Sequence, residues 1–400
     1  MNKRKLVNFI FISALSFSFL QAQDLKTEIE SIRKQYAPDK REHIFEYEIE
    51  TNNQNQNVIR GVTTDVRAGK ALKELIARLN LASKDLVYLD SLKTLPAAED
   101  QLPLYGVCRL SVADIRTNPS YAAEMASQSL LGVPVRILEY KRGWYRVRTP
   151  DNYLGWINSS SIQTMTGTEL TDWLTSPKVI VVTHNDHVLK RKKDPTEPVC
   201  DVVMGDLLRL KSKKGKWIEV ALPDGREGFI ASDCVKDFNA WYAEVNPSAE
   251  SLIRLARTFM GLPYTWGGTS AKMLDCSGFM RTIYFMHGIY LNRDASQQVK
   301  QGQLVNTSTN KNALEPGDLL FFGTKGIDGA KDRITHVGMY IGNGEYIHEA
   351  GLVHVSSFDP SKDNYSSYYD KTFICARRIL GNEEKNIDTR YLRADQWITE

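Results

Sequence analysis

The chain opens on an apolar run from Leu6 to Leu20, interrupted only by Asn8 and three serines, that follows Lys3, Arg4 and Lys5 and precedes Ala22. A basic start, a short apolar stretch and a small residue together predict a cleaved secretory signal over residues 1–22. The run is too short and too rich in serine for a comfortable bilayer span. Beyond it, Phe45, Tyr47 and Ile49 alternate with Glu46, Glu48 and Glu50, the period of a half-buried strand. Leu72, Leu75, Ile76 and Leu79 then recur at helical spacing, predicting a helix that ends near Asn80. Residues 23–100 therefore form a helix and strand segment, and no constellation of reactive side chains appears in it.

Between residues 101 and 242 the texture changes to short alternating runs separated by turns. Val133–Leu138, Gly143–Val147, the Pro150-Asp151 turn and Leu154–Ile157 are matched by Gly205–Leu210, Lys216–Val220, Pro223-Asp224-Gly225 and Glu227–Ile230. Each copy reads strand, turn, Trp-bearing strand, Pro-Asp turn, and a strand with the order Gly, aromatic, Ile. Such spacing predicts a small antiparallel barrel, and its repetition predicts two, over 101–170 and 171–242. Both resemble bacterial SH3-like domains.

Residues 247–381 predict a third, mixed domain. Leu252, Leu255, Ala256 and Phe259 mark a helix stopped by Gly261 and Pro263. A second helix runs from about Cys276 to His287, with Phe279, Ile283 and Met286 facing inward. Gly317–Gly323 reads as a buried strand. Thr335–Ile341 and Glu345–Ala350 read as a hairpin around Gly342-Asn343-Gly344. Residues 382–400 are a polar tail.

Charge and cysteine count narrow the chemistry. Loss of Lys3, Arg4 and Lys5 takes the formal charge from +3 to 0, which argues against nucleic acid or an anionic membrane held by bulk charge. An exported protein, periplasmic or extracellular, with no stable membrane insertion after signal cleavage is expected. Five cysteines leave at least one free thiol, and Cys276 is the best candidate. Cys108 and Cys375 lie in apolar surroundings, and whether Cys200 pairs with Cys234 stays open. No His-Glu-x-x-His or comparable ligand set occurs, so neither metal nor cofactor is expected.

Cys276 lies at the predicted start of a helix behind Asp275, a plausible N-cap. Unpaired amide hydrogens and the helix dipole there favour a thiolate, and the Cys276 N–H is placed to donate to an oxyanion. His336 opens a strand beside Gly338 and is the candidate base; His348 is the candidate for orienting its second nitrogen. Hairpin register tests that pair. A two-residue turn would set Met339 opposite His348 and the two histidines on opposite faces. A three-residue loop, with Gly344 left-handed in a bulge, sets Gly338 opposite His348 and both histidines on one face. The three-residue loop is expected. His43, His184 and His187 are expected at the surface, and His354 has little claim to a role.

Taken together, Tyr264-x-Trp266-Gly267-Gly268, Asp275-Cys276-Ser277-Gly278, Arg293-Asp294-Ala295-Ser296-Gln297-Gln298, Pro316-Gly317-Asp318-Leu319 and His336-Val337-Gly338-x-Tyr340 resemble the NlpC family of papain-like cell-wall peptidases. With two SH3-like units upstream, the resemblance narrows to γ-D-glutamyl-L-diamino acid endopeptidases that recycle murein peptides. It implies an α+β fold, with a papain-like catalytic domain preceded by two SH3-like barrels and the N-terminal segment. It also implies hydrolysis of the γ-D-Glu to diamino acid bond in a murein stem peptide whose L-Ala amine is free. Cys276, His336 and His348 would be nucleophile, base and orienter. Tyr264, Asp275, Ser277, Asp294 and Ser296 match positions that line the D-Glu pocket. Glu124 and Tyr153, on the first SH3-like unit, match positions that hold the L-Ala amine. A non-catalytic peptidoglycan-binding protein, and a papain-like amidase or acyltransferase, are the competing functions.

Overall fold

The computed structural model describes residues 25–82, 86–307 and 311–381; the expected signal segment and polar tail lie outside them. Two compact units divide the chain, one ending at Leu102 and the other beginning at Pro103. In the first, helices α1 (25–36) and α2 (Val66–Ala82) accompany strands β1 (Phe45–Thr51), β2 (Asn57–Thr63) and β3 (Tyr88–Thr94). The strands form one sheet in that order. Leu72, Leu75 and Ile76 of α2 are buried in its core, as their spacing predicts.

The second unit begins with two barrels. The first comprises β4 (Tyr105–Cys108), β5 (Val112–Arg116), β6 (Met125–Leu130), β7 (Pro134–Lys141), β8 (Trp144–Arg148), β9 (Leu154–Asn158) and β10 (Ile162–Met165). Helix α3 (Gly167–Thr175) leads into the second: β11 (Lys178–Val181), β12 (Asn185–Leu189), β13 (Pro198–Val203), β14 (Leu207–Lys214), β15 (Trp217–Ala221), β16 (Glu227–Ala231) and β17 (Val235–Asp237). Strand order in the first sheet is β10-β4-β7-β8-β9-β5-β6, and in the second, read in the same direction, β17-β11-β14-β15-β16-β12-β13. The topologies are identical, as expected of a repeat.

The barrels are joined through buried backbone. The fully buried Asp206 carboxylate accepts from the N–H of Leu131 and of Val203 at 3.1 and 2.8 Å, and Leu207 N–H donates to Leu131 O. Burial raises the Asp206 carboxyl well above the ordinary carboxylate range. The second barrel also meets the third domain, where His184 stacks on Phe259 and bonds Thr258 Oγ1.

The third domain places helices α4 (Phe238–Glu244), α5 (Ala249–Arg257), α6 (Cys276–Phe285), α7 (Ala295–Gln298) and α8 (Ser367–Thr372) around a six-stranded sheet. A two-strand ribbon, β18 (Thr269–Ser270) with β19 (Met273–Leu274), leads into α6. The sheet contains β20 (Gln303–Val305), β21 (Leu319–Thr324), β22 (Arg333–Gly342), β23 (Glu345–Ala350), β24 (Leu352–Ser357) and β25 (Phe373–Arg378), in the order β20-β25-β21-β22-β23-β24. Phe279 and Ile283 of α6 are fully buried in a cluster that includes Phe321, Val337, Met339 and Ile347 of the sheet. Each such side chain contributes about 2–3 kcal/mol of apolar burial, which holds the N-terminus of α6 against the start of β22.

The β22–β23 hairpin departs from expectation in its turn. Gly342 pairs with Glu345, and Asn343 and Gly344 both adopt positive φ, a tight two-residue connection. The register shift lies instead at Ile341, between the paired residues Tyr340 and Gly342. That bulge sets Gly338 opposite His348, so the two histidines share a face although the loop is one residue shorter than expected. Two positive-φ positions at Asn-Gly favour the primed turn, and one extra residue in the strand restores the register.

Candidate active site

Asp275 caps α6, its Oδ1 accepting from Gly278 N–H at 2.7 Å, worth about 1 kcal/mol. Gly278 is required by close approach, since a Cβ there would fall 2.0 Å from Gly268 O. Cys276 therefore occupies the first helical position, where the backbone N–H groups of Val337 and Ser277 favour its ionised form. Val337 follows His336, so the sulfur lies at the strand position next to the candidate base.

His336 Nε2 is 2.9 Å from His348 Nδ1. His348 Nε2 is in turn 3.1 Å from His354 Nε2 and 3.0 Å from Ser356 Oγ, and His354 Nδ1 is 2.8 Å from Leu352 O. Three imidazoles thus run in series across β22, β23 and β24. His354, given little claim to a role by the sequence, nonetheless joins this series. It faces His348 directly in the β23–β24 register, a contact that β24 alone does not disclose.

Electrostatics revise the thiolate expectation. Burial, reinforced by Asp275, pushes the Cys276 thiol up to about 12, outweighing the two backbone donors. Burial and the neighbouring His354 push His336 down to about 4, and burial with the other two imidazoles pushes His348 down to about 2. Near neutral pH these shifts hold the Cys276 sulfur as a thiol and His336 as a neutral imidazole. A helix start alone does not overcome the desolvation of a buried sulfur.

Asp275 does more than cap. Its carboxylate accepts from Arg293 at 2.5 and 3.2 Å, from Gly267 N–H at 3.1 Å and from Ser277 Oγ at 3.2 Å. Arg293 also donates to Ser277 Oγ at 3.0 Å and lies 4.0 Å from Asp294. The buried Asp275 is saturated by internal donors, so it holds the Arg293 guanidinium in place and presents no free oxygen. Arg293 is the residue missed in the sequence. It stands beside Asp294 in the motif, but only the fold shows that its guanidinium is buried against the nucleophile's cap. Ser296, on α7, is half-buried.

The first barrel docks on the loop and the helix that carry Cys276. Trp266, in the loop before the nucleophile, donates from Nε1 to Glu124 Oε1 at 2.7 Å. Thr269 N–H donates to Gln128 Oε1 at 3.0 Å. Asp151 pairs with Arg281 of α6 at 3.1 Å, both side chains buried. Tyr153 is buried and close enough to Arg293 to act on it electrostatically. Away from the barrel, a groove of about 380 Å³ is lined by Tyr264, His336, Glu349, Tyr368, Tyr369 and Thr372 among others. Burial there raises the Tyr264 phenol above its ordinary value and pushes the Glu349 carboxyl up to about 8.

All five cysteines are free. Cys200 and Cys234 do not pair, and Cys234 Sγ instead contacts Asp186 at 2.6 Å. Cys108 is fully buried and Cys375 half-buried.

Residues 261–378 match the NlpC/P60 family, and residues 115–162 match the bacterial dipeptidyl-peptidase Sh3 domain. A γ-D-glutamyl-L-lysine dipeptidyl-peptidase of Bacillus cereus is 32% identical over 273 residues, 65% of this chain and 78% of the relative. The chain belongs to the NlpC/P60 family. It is a hydrolase, a cysteine peptidase with an SH3-like domain ahead of its catalytic domain. Among other NlpC/P60 relatives, dipeptidyl-peptidase 6 of Lysinibacillus sphaericus is 26% identical over 266 residues, covering 64% of this chain and 92% of that one. The crystal structure of an NlpC/P60 family protein from B. cereus superposes with a TM-score of 0.59 at 25% identity, over 69% of this chain and 99% of that one.

Proposed function

We propose that the peptidase hydrolyses the γ-D-Glu to diamino acid bond of murein stem peptides that carry a free N-terminal L-Ala. Cys276 is the nucleophile, His336 takes the thiol proton as sulfur attacks the γ-carbonyl, and His348 holds the second ring nitrogen of His336. The Cys276 N–H, at the first turn of α6, donates to the oxyanion. The tetrahedral intermediate collapses to a thioester as His336 returns the proton to the leaving amine, and water then releases the dipeptide. Arg293 with Ser277, Asp294 and Ser296 forms the D-Glu side of the pocket, with Asp275 holding Arg293 in place and Tyr264 beside the nucleophile.

The observation that carries this reading is the docking of the first barrel on the nucleophile's own loop. A barrel seated there blocks one end of the cleft, which suits an enzyme that removes a terminal dipeptide rather than one that works along a polymer. Glu124, exposed beside Trp266, and the buried Tyr153 supply a carboxylate and a phenol for an ammonium that binding itself desolvates. A site built for that charge rejects an acylated amine, and in intact cell wall the L-Ala amine is blocked by the sugar's lactyl group. The names of two relatives, a γ-D-glutamyl-L-lysine dipeptidyl-peptidase and a dipeptidyl-peptidase, agree with such a substrate. An exported enzyme acting on released peptides in murein recycling follows from this and from the apolar N-terminal run.

Mass spectrometry of products from L-Ala-γ-D-Glu-L-Lys, its diaminopimelate counterpart and their N-acetyl derivatives tests the reading. The expected products are L-Ala-γ-D-Glu and the free diamino acid, from the free-amine peptides only. Equal cleavage of the acetylated peptides would remove the closed-end specificity, and no cleavage of any would remove the substrate.

A further inference from the structure

We propose that His354 sets the tautomer of the base: a backbone carbonyl on β24 determines, through three imidazoles, which nitrogen of His336 faces the thiol with a lone pair. The proposal rests on Cys276 and His336 acting as nucleophile and base. It goes beyond that pair by assigning a positioning role to a third histidine that touches neither sulfur nor substrate.

The chain of reasoning starts at Leu352 O. A carbonyl only accepts, so the 2.8 Å contact to His354 Nδ1 requires a proton on Nδ1. A neutral His354 then carries its lone pair on Nε2. That atom is 3.1 Å from His348 Nε2, which must donate and so leaves Nδ1 of His348 as an acceptor. His348 Nδ1 is 2.9 Å from His336 Nε2, so the His336 proton sits on Nε2 and its lone pair on Nδ1, the only ring nitrogen left to take the thiol proton. Ser356 Oγ, 3.0 Å from His348 Nε2, cannot make this choice, because a hydroxyl donates or accepts according to its rotation. His354 is the one neighbour of His348 Nε2 whose proton is tied elsewhere.

The opposite tautomer is unproductive. A proton on His336 Nδ1 would point a donor at a thiol that burial holds neutral, and no base would face the sulfur. Wrong-tautomer imidazole is a known way to lose activity while geometry is kept.

The test labels all histidines of the full chain with ¹⁵N and reads tautomers from two-bond ¹H–¹⁵N correlations at pH 7.5, with His336 assigned by substitution. The expected native pattern is a protonated Nε2 and a bare Nδ1 on His336. His354→Leu removes the acceptor: the Nδ1–H form of His336 should become populated, and kcat should fall about ten- to a hundredfold, part of the roughly 10²–10⁴-fold that a positioned general base supplies, with KM unchanged. Alkylation of Cys276 should slow in parallel. His354→Gln, which keeps an oxygen acceptor within reach of His348, should restore the native tautomer and a kcat within about threefold of wild type.

The native spectrum is decisive by itself, since a proton on His336 Nδ1 overturns the proposal whether or not the variants fold. A His354→Leu enzyme with native tautomer and native kcat overturns it too, as does a folded His354→Gln enzyme as damaged as His354→Leu. Tautomers and alkylation are read without peptide, so failure to cleave γ-glutamyl peptides would sink the substrate reading and leave this result standing.

Discussion

The two barrels have the same strand order, yet equivalent positions in them face different worlds. Glu124 and Glu197 each close an eight-residue loop and immediately precede β6 and β13, and in both copies the carbonyl of this glutamate accepts from the N–H that opens the loop, Thr117 or Lys190. Glu124 meets Trp266 of the peptidase domain, whereas Glu197 meets Arg191 of its own loop at 2.8 Å. Asp151 and Asp224 occupy the same Pro-Asp turn. Asp151 pairs with Arg281 on the nucleophile's helix, while Asp224 pairs with Arg109 of the other barrel and Arg226 of its own. At the next shared position Tyr153 is buried near Arg293, and its counterpart Arg226 reaches back to Val199 O and Arg109 O. Duplication thus supplied a loop and a turn twice; one copy docks on the loop and helix that carry Cys276, and the other braces the two barrels.

The largest test of this division is on the ion pairs. Arg281 and Asp151 are 9% and 1% exposed, so Arg281→Met leaves a buried carboxylate without its cation and should cost about 3–5 kcal/mol in denaturant unfolding. Arg109, at 38% exposure, sits in a weaker pair, and Arg109→Met should cost no more than about 1 kcal/mol. Equal losses would mean that both turns brace the fold alike.

Next comes catalysis. Glu124→Ala should lower kcat/KM on free-amine tripeptides by about a hundredfold, the loss of a charge-assisted contact of roughly 2.7 kcal/mol, and leave N-acetylated peptides where they were. Glu197→Ala should change neither. The reverse pattern would exchange the roles assigned to the barrels. Cysteine chemistry sharpens the same contrast. Burial pushes Cys200 and Cys234 up to about 12, as it does Cys276, so acidity does not single out the nucleophile. The adjacent imidazole does. His336→Ala should slow alkylation of Cys276 by about tenfold or more and leave Cys200 and Cys234 unaffected.

A smaller effect separates the domains by pH. The first barrel contains no histidine, whereas His336 and His348 are held at about 4 and about 2, below the ordinary 6.5. The folded protein therefore binds fewer protons than the unfolded chain between these values. Stability falls as pH drops below about 6.5, and for His336 the loss is complete near pH 4, at on the order of 1 kcal/mol per histidine per pH unit. Hydrogen exchange at pH 5 should accelerate in β22–β24 before β4–β9; acceleration in the barrel first would contradict the assignment of the buried histidines.

Much of this was legible in the chain. The Gly, aromatic, Ile strands announced two barrels because turn chemistry and alternation are local. Asp275 before Cys276 announced a capped helix for the same reason, and the spacing of Gly338 and His348 placed the histidines on one face. The position of the bulge was missed, since Asn343-Gly344 is a turn by itself and the extra residue is absorbed upstream, at Ile341. His354 was missed because its partner lies on the neighbouring strand, and Arg293 because its partner lies on another helix.

The sequence by itself determined the candidate residues for the chemistry and which segments repeat, because backbone propensity, capping and side-chain alternation act over a few residues. Only the tertiary structure decided which copy of the barrel docks on the loop before Cys276, that burial makes the sulfur a weaker acid, and that three imidazoles stand in series. Those outcomes depend on desolvation and on contacts between distant segments, and neither exists until the faces of the domains have met.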